Sequence, residues 1–330
     1  MAIKIGLNGF GRIGKSLARL MIQDKDVELV VFNARKDPSI YAYTFKYDSV
    51  HGNWKGEVKA DKDGIIVDGK KIRMTSDEAG KWQWGKLGVD IVVEATGKFR
   101  DRESCQKHLD CGAKKVIISA PGKGVDATLV YNVNHQGYDP KTQHILSSAS
   151  CTTNCLAPAA KVLHEKFVIK QAVMTTVHAY TTSQAILDSA QPKDPRRGRA
   201  AALNLVPTTT GAAKAISEVI PDLKGKIEGM AVRAPTPVGS LVDLACVVEK
   251  STSKDEVNAA LKAAANETLG YTEERIVSCD IVGDTHGGVV DGLSTMVSGG
   301  TLVKVLVWYD NEMGFNHQLL RTIKYVGSKL

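Results

Sequence analysis

Six residues near the start of the chain restrict its fold more than any other feature. Gly9-Phe10-Gly11-Arg12-Ile13-Gly14 is a G-x-G-x-x-G run. Alone, that pattern is weak. Here it follows the strand-like apolar run Ile3–Asn8, and it opens a stretch over residues 13–23 in which Ile13, Leu17, Leu20 and Met21 fall at helical spacing. A second apolar run, Val27–Asn33, completes strand, helix and strand within about 30 residues, which is the βαβ unit of a parallel sheet. In such a unit Gly9 permits the tight turn, Gly11 lets the backbone approach a pyrophosphate, and Gly14 lets helix and strand pack closely. The start of the helix offers amide donors and partial positive charge to phosphate oxygens. The segment predicts a dinucleotide-binding site.

A unit of this kind that binds NAD ends its second strand, about 20 residues on, with an acid bonded to the adenosine ribose 2′-hydroxyl. This chain has Phe32-Asn33-Ala34-Arg35-Lys36 there. Ala34 removes the carboxylate that would repel a 2′-phosphate, and Arg35 or Lys36 offers a cation to bind one. The same two cations also suit an ordinary solvated loop, so NADP and NAD both stand as cofactors.

Residues 89–94 and 115–119 are further short apolar strands, as in a parallel sheet buried on both faces. Residues 64–67 and 70–74 read as a hairpin closing on Asp68-Gly69. After about residue 150 the texture changes. Strands are expected at 172–177, 226–233, 240–249, 276–278, 295–298 and 302–309, and helices at 212–220, 254–266 and 316–324. Strands in series with helices apart indicate an α+β domain with a mixed, largely antiparallel sheet. The fold class is therefore α/β: a Rossmann-type parallel-sheet domain followed by an α+β domain. Residues 180–206 lack periodicity, and a connection of that length is usually functional or interfacial.

The densest chemical signal is Ser147-Ser148-Ala149-Ser150-Cys151-Thr152-Thr153-Asn154-Cys155-Leu156-Ala157-Pro158. Ser150 is a good N-cap, so a helix can start at Cys151. A thiol in the first turn sees the positive end of the helix dipole, which favours the thiolate. Pro158 is expected to kink or break that helix, which otherwise reads on to His164. Cys155 shares a helix face with Cys151 and reads as a supporting core residue. A zinc site would need further Cys or His at suitable spacing, and none is nearby, so no metal is expected. Cys105, Cys111, Cys246 and Cys279 read as structural.

Composition narrows the remaining classes. Six cysteines in 330 residues are too few for a disulfide scaffold. The net charge of +7 comes from scattered Lys and Arg, with no long basic run, so no nucleic-acid partner is expected. No apolar stretch of about 18 residues marks a membrane span. The first residues carry no basic region followed by a long apolar core, so the cytosol is the expected compartment.

Together, Asn8-Gly9-Phe10-Gly11-Arg12-Ile13-Gly14 and Ala149-Ser150-Cys151-Thr152-Thr153-Asn154-Cys155-Leu156-Ala157-Pro158 resemble the phosphorylating glyceraldehyde-3-phosphate dehydrogenase family. Further matches run in order through Lys46-Tyr47-Asp48-Ser49, Glu94-Ala95-Thr96-Gly97, His178-Ala179-Tyr180-Thr181, Arg196-Arg197-Gly198-Arg199, Thr208-Thr209-Thr210-Gly211, Arg233-Ala234-Pro235 and Trp308-Tyr309-Asp310-Asn311. The resemblance covers the whole chain. It implies Cys151 as nucleophile and His178 as its base. It implies Thr181 and Arg233 for the C3 phosphate of glyceraldehyde 3-phosphate. Ser150, Thr152, Thr210, Gly211 and Arg197 would hold inorganic phosphate. Arg12 and Ile13 would meet the pyrophosphate, Thr96 and Ser119 the nicotinamide half, and Asn311 the carboxamide. It also implies a dinucleotide-binding domain of residues 1–149 with 314–330, a catalytic domain of residues 150–313, and a homotetramer whose 180–206 segment lines a neighbour's adenosine site.

The departures point one way. Family members specific for NAD carry an acid where Ala34 stands and a Pro-containing pair where Ser189-Ala190 follows Asp188. Small or polar residues there accompany NADP use in the family. Met313 and Phe315 stand where the family usually has Trp and Tyr. Other classes make distinct demands: a cysteine hydrolase needs no dinucleotide fingerprint, and a non-catalytic nucleotide- or RNA-binding module has no use for a reactive thiol. Erythrose-4-phosphate dehydrogenase shares the cysteine motif, and the intact Thr208-Thr209-Thr210-Gly211 favours the glyceraldehyde enzyme.

Overall fold

A computed structural model describes residues 2–192 and 194–330. Lys193, inside the expected 180–206 connection, lies outside the described residues. The chain divides into two compact units, residues 1–149 with 316–330 and residues 150–315.

In the first unit the order is β1 (Ile3–Asn8), α1 (Arg12–Gln23), β2 (Val27–Asn33), α2 (Pro38–Lys46), β3 (Val58–Asp61), β4 (Gly64–Val67), β5 (Lys70–Thr75), β6 (Ile91–Glu94), α3 (Arg102–Asp110), β7 (Lys115–Ile118), β8 (Ala127–Thr128) and β9 (Ile145–Ser147). The sheet runs β3-β4-β5-β2-β1-β6-β7-β9-β8, and only the β3-β4-β5 edge is antiparallel. β6 and β7 are buried at every position, which explains the apolar runs of residues 91–93 and 116–118 beside their charged ends, Glu94 and Lys115. Asp68 and Gly69, with φ of 48° and 79°, turn β4 into β5 as the sequence predicts.

The second unit contains α4 (Cys151–Phe167), β10 (Ile169–Ala179), β11 (Val206–Thr209), α5 (Ala212–Val219), β12 (Ile227–Ala234), β13 (Ser240–Val248), α6 (Lys254–Ala263), β14 (Leu269–Thr272), β15 (Gly288–Ser298) and β16 (Leu302–Tyr309). α7 (Met313–Gly327) starts here and belongs to the first unit from Asn316 onward. The sheet order is β11-β12-β10-β13-β16-β15-β14, with β10-β12 and β14-β15 parallel and the other pairs antiparallel. Along β10, Met174, Thr176 and His178 are buried on one side while Val173 and Val177 stay exposed on the other. That period of two places His178 on the inner face.

Two sequence expectations are corrected. Residues 276–278 are not a strand: the Asp280 carboxylate takes the Val277 amide at 2.8 Å and folds the segment into a turn. Pro158 neither ends nor divides α4, which is continuous through Phe167. Pro158 is fully surrounded, so the missing amide costs one bond while packing holds both sides of the helix. β14 and the first half of β15 were missed, because Gly270, Gly287, Gly288 and Gly292 dilute their apolar pattern.

Candidate active site

Ser150 caps α4 through its hydroxyl, which accepts the Thr153 amide at 3.1 Å. This leaves Cys151 as the first helical residue, with its side chain partly exposed. Cys151 Sγ lies 3.4 Å from His178 Nε2, which comes from the end of β10. A single tyrosine sets the distance between these elements. Tyr309 Oη lies 2.9 Å from Thr152 Oγ1 on α4 and 2.8 Å from Thr176 Oγ1 on β10. The ring of Tyr309 also meets His178 edge-on, with centroids 5.9 Å apart.

The other face of the imidazole meets one acceptor and one donor, and the shorter contact, to the acceptor, is the basis of the tautomer assigned. His178 Nδ1 is 2.7 Å from the Ala179 carbonyl, which can only accept, so we assign the proton to Nδ1 and the lone pair to Nε2. Arg233, opposite His178 in the β10-β12 register, donates from Nη1 to the same carbonyl at 3.2 Å. Its Nη1 is also 2.9 Å from Nδ1, a contact between two donors in this tautomer and not a hydrogen bond. Burial, reinforced by the Arg233 charge, lowers His178 to about 3. Burial also pushes the Cys151 thiol up, against the pull of Arg233 and of hydrogen bonds at Thr152. Both shifts act in the direction of the uncharged forms, and the 3.4 Å contact lets a proton pass between Sγ and Nε2. Desolvation opposes the helix dipole at Cys151, and His178 Nε2 is the group placed to take the thiol proton. Cys155 is fully buried and donates to the Val307 carbonyl at 3.6 Å, and its thiol is pushed well up by burial.

The predicted phosphate residues fall in four places within this unit, the first being Ser150 and Thr152 at the start of α4. Arg233 stands beside His178, and its buried Nε finds no protein acceptor among the described residues. Thr181 and Arg197 are joined through Ser183, with Thr181 Oγ1 and Arg197 Nη1 at 2.9 and 2.8 Å from Ser183 Oγ. Thr210 and Gly211 form the start of α5, where Thr210 Oγ1 accepts the Ala212 amide at 3.2 Å. Among the described residues no hydrogen bond joins Thr210 or Gly211 to Ser150 or Cys151. Asn311 Oδ1 accepts from Ser240 Oγ at 3.0 Å, and Ser240 Oγ in turn accepts the Ala179 amide at 3.0 Å. Ser189 sits in the 180–206 segment and donates its amide to Gly198 at 2.8 Å. That segment is folded on itself by Asp188, whose carboxylate takes the Ala200 amide and Arg199 Nε, both at 2.9 Å.

The first unit holds a cavity of about 670 Å³ at the carboxyl ends of its parallel strands. Its lining includes Gly9, Gly11, Arg12, Ala34, Arg35, Lys36 and Thr96. The glycines meet the demands of a dinucleotide. Gly9 has φ of 101°, and a Cβ there would stand 2.8 Å from the Ala95 carbonyl carbon. A Cβ on Gly14 would collide with the Gly9 carbonyl oxygen. Gly11 faces open space and caps α1 without a side-chain bond, which leaves the first amides of the helix for an anion. Ile13, in the first turn, is partly buried. Ser119 donates its amide and its hydroxyl to the Glu94 carbonyl, each at 3.0 Å. Asp48, which sequence reasoning left without a role, is buried and binds Arg12 at 2.5 Å and Lys15 at 2.9 Å. Tyr309 and Ser240 were likewise unassigned. The only available signal was the alternation that places Thr176 and His178 on one face of β10.

No group of three or more His, Cys, Asp or Glu side chains suited to a metal occurs among the described residues. No helix among them is long and apolar enough to cross a membrane.

Comparison with known proteins gives a consistent outcome over both units. Residues 3–102 match the family model "Glyceraldehyde 3-phosphate dehydrogenase, NAD binding domain", and residues 150–311 match the corresponding C-terminal domain. The chain is 52% identical to a glyceraldehyde-3-phosphate dehydrogenase of Geobacillus stearothermophilus, over 100% of this chain and 99% of the relative. It is 50% identical to glyceraldehyde-3-phosphate dehydrogenase 1 of Bacillus subtilis, with the same coverage. It is 50% identical to the Streptomyces coelicolor enzyme of that name, over 100% of both chains.

Proposed function

The chain belongs to the glyceraldehyde-3-phosphate dehydrogenase family, and on that premise we propose that it oxidises glyceraldehyde 3-phosphate with inorganic phosphate to 1,3-bisphosphoglycerate, reversibly, through a thioester on Cys151. The observation that carries this reading is the 3.4 Å contact between Cys151 Sγ and His178 Nε2, with the lone pair of Nε2 facing the thiol.

His178 Nε2 takes the thiol proton as Cys151 Sγ attacks the aldehyde carbon. The protonated Nε2 then donates to the oxygen of the hemithioacetal. The nicotinamide of the bound cofactor supplies the hydride acceptor. As the C–H bond breaks, His178 removes the hydroxyl proton and the carbonyl re-forms as a thioester. A phosphate oxygen attacks that carbonyl, the C–S bond breaks, and the acyl phosphate leaves Cys151 free. Arg233 and Thr181 hold the C3 phosphate, to which the unpartnered Arg233 Nε is suited. Ser150, Thr152, Thr210, Gly211 and Arg197 hold the attacking phosphate. Asn311, with its Oδ1 fixed by Ser240, turns its amide donors to the carboxamide.

The same reading extends to cofactor choice and assembly. The site accepts NADP alongside or in preference to NAD, because Ala34 supplies no carboxylate and Arg35 and Lys36 line the cavity. The chain forms a homotetramer. Ile186 and Leu203 on the 180–206 segment are 84% and 81% exposed, and Val173 and Met296 on the sheet face opposite His178 are 63% and 60% exposed. Apolar patches of that kind mark subunit contacts. A sedimentation profile of a monomer would overturn the assembly. Formation of reduced nicotinamide that requires both glyceraldehyde 3-phosphate and inorganic phosphate tests the reaction. Turnover without phosphate would refute the phosphorylating step.

A further inference from the structure

Three neighbouring parallel strands each end in one buried polar residue: Asn33 on β2, Asn8 on β1 and Glu94 on β6. Asn8 stands opposite both of the others in register. Asn33 Nδ2 donates to Asn8 Oδ1 at 2.9 Å, and Asn8 Nδ2 donates to Glu94 Oε2 at 2.5 Å. On the far side, His108 of α3 is fully buried, with Nε2 3.2 Å from the same carboxylate oxygen. Trp84 Nε1 lies 3.0 Å from His108 Nδ1. An indole N–H only donates, so Nδ1 carries no proton, and the Nε2–H points at Glu94. Asn33 is fixed in the same sense, because its Oδ1 accepts the Asp77 amide at 2.8 Å and Thr75 Oγ1 at 3.0 Å. Asn33 Nδ2 also donates to the Asp77 carbonyl at 3.1 Å, and the chain of donors from Asn33 through Asn8, met by His108, ends on one carboxylate. Its second oxygen, Oε1, accepts the Thr96 amide at 2.8 Å and the Thr96 hydroxyl.

The array borders the cavity at Asn8, Asn33 and Thr96, and at Trp82, whose ring stacks on His108 with centroids 3.9 Å apart. The turn that Glu94 holds is the one against which the glycine loop rests. The Ala95 amide donates to the Asn8 carbonyl at 2.8 Å, and Gly9 packs on the Ala95 backbone. We propose that Glu94 is a positioning residue for the dinucleotide: the one-way array of donors holds its carboxylate, which sets the glycine loop and Thr96 in register for the cofactor. This rests on the reading of the cavity as the dinucleotide site. A buried carboxylate with all of its lone pairs taken is a strict device, because any change of one oxygen to NH₂ opposes a donor to a donor.

Glu94→Gln supplies that change at constant shape. Whichever way its amide turns, it opposes Thr96 or the Asn8–His108 pair. Trp84→Phe acts from outside the cavity by removing the donor that selects the His108 tautomer. Calorimetric titration of the full chain with NAD and with NADP is expected to give dissociation constants raised about tenfold or more in Glu94→Gln, and several-fold in Trp84→Phe. kcat at saturating cofactor is expected to stay within about twofold, so that the loss appears in KM. Nitrogen-15 spectra of wild-type His108 are expected to show an unprotonated Nδ1, and Trp84→Phe to perturb that signal. Should Glu94→Gln fail to fold, Trp84→Phe and the spectra decide. Unchanged dissociation constants in folded variants, or a protonated Nδ1 in the wild type, would overturn the role of the array and leave the cavity's assignment standing. A wild-type chain that binds neither dinucleotide would overturn both.

Discussion

Tyr309 and Thr176 are joined by a buried contact of 2.8 Å, and through it the separation of Cys151 from His178 is set. The same hydroxyl reaches Thr152, next to Cys151 on α4, while Thr176 lies two residues before His178 on β10. Helix start and strand end are thus pinned by an oxygen that need not touch the substrate. Tyr309→Phe keeps the ring and strands two buried threonine hydroxyls. The expected result is a loss of about 1–3 kcal/mol in urea unfolding, with acylation slowed because the thiol is held less firmly against Nε2. Wild-type stability together with wild-type acylation would show that packing alone sets the pair.

The residues of the pair itself give a sharper test. Cys151→Ser should bind cofactor as the wild type does and lose turnover by roughly 10⁴-fold or more. His178→Asn should lose about 10²- to 10⁴-fold in turnover and alkylate more slowly at Cys151, because the proton acceptor for the thiol is gone. Turnover followed by the absorbance of reduced nicotinamide, with alkylation followed by mass spectrometry, measures both. Retained turnover in Cys151→Ser would remove the thioester from the mechanism.

The parallel sheet was legible because β1, β2, β6 and β7 are short and mostly apolar, and the glycine run marks the turn between β1 and α1. Cys151 was legible because one helix start concentrates its signal in a few adjacent residues. What the sequence hid is what depends on distant partners. His178 was paired with Cys151 by the family resemblance, while the contact itself depends on strand alternation and on the packing of β10 against α4. The direction of the Cys151 thiol shift depends on burial, which local sequence does not report. Asp48, Ser240 and Glu94 act through hydrogen bonds to residues 33 to 86 positions away. Glycines within β14 and β15 blurred strands that tertiary pairing supplies.

Acid should expose His178. Its folded value, about 3, lies below the ordinary 6.5, so the unfolded chain binds a proton that the folded chain refuses. The resulting stability is complete above about pH 6.5 and is lost as pH falls toward 3. Over that window this one proton adds a slope of about 1.4 kcal/mol per pH unit. Urea midpoints for wild type and His178→Gln, taken between pH 7 and 4, should diverge with the wild type falling faster. Parallel curves would show that His178 takes its proton as readily folded as unfolded.

Asp48 carries a second acid-sensitive contribution. Burial works against its charge, but hydrogen bonds from the His51 and Val50 amides and from Lys15 hold it well below the usual carboxylate range. Its contribution is present above about pH 4 and is lost as pH falls below it. Asp48→Asn leaves Arg12 and Lys15 without their counter-charge. The expected cost is about 3–5 kcal/mol at neutral pH, with a flatter acid limb. KM for the cofactor should rise as well, because Arg12 lines the cavity. A neutral substitution in both stability and KM would show that solvent satisfies the two cations.

The proposed acceptance of NADP is tested at Arg35 and Lys36, which line the cavity. Both side chains are exposed beside buried Ala34, and both backbone amides are held 3.2 Å from the Tyr41 hydroxyl, so the loop is fixed while its cations stay free to meet a 2′-phosphate. A charge-assisted bond to that phosphate is worth roughly 1.5–3 kcal/mol, or about 10- to 150-fold in affinity. Arg35→Ala should weaken NADP by a factor in that range and leave NAD nearly unchanged, since the 2′-hydroxyl of NAD has no use for the guanidinium. Ala34→Asp should act in the opposite sense, repelling the 2′-phosphate and giving the hydroxyl a charged acceptor. Side-by-side kinetics with both cofactors measure this. A wild-type preference for NAD above about 100-fold in kcat/KM would correspond to ~2.7 kcal/mol against the phosphate. That result, or equal loss of both cofactors in Arg35→Ala, would show the two cations pointing to water.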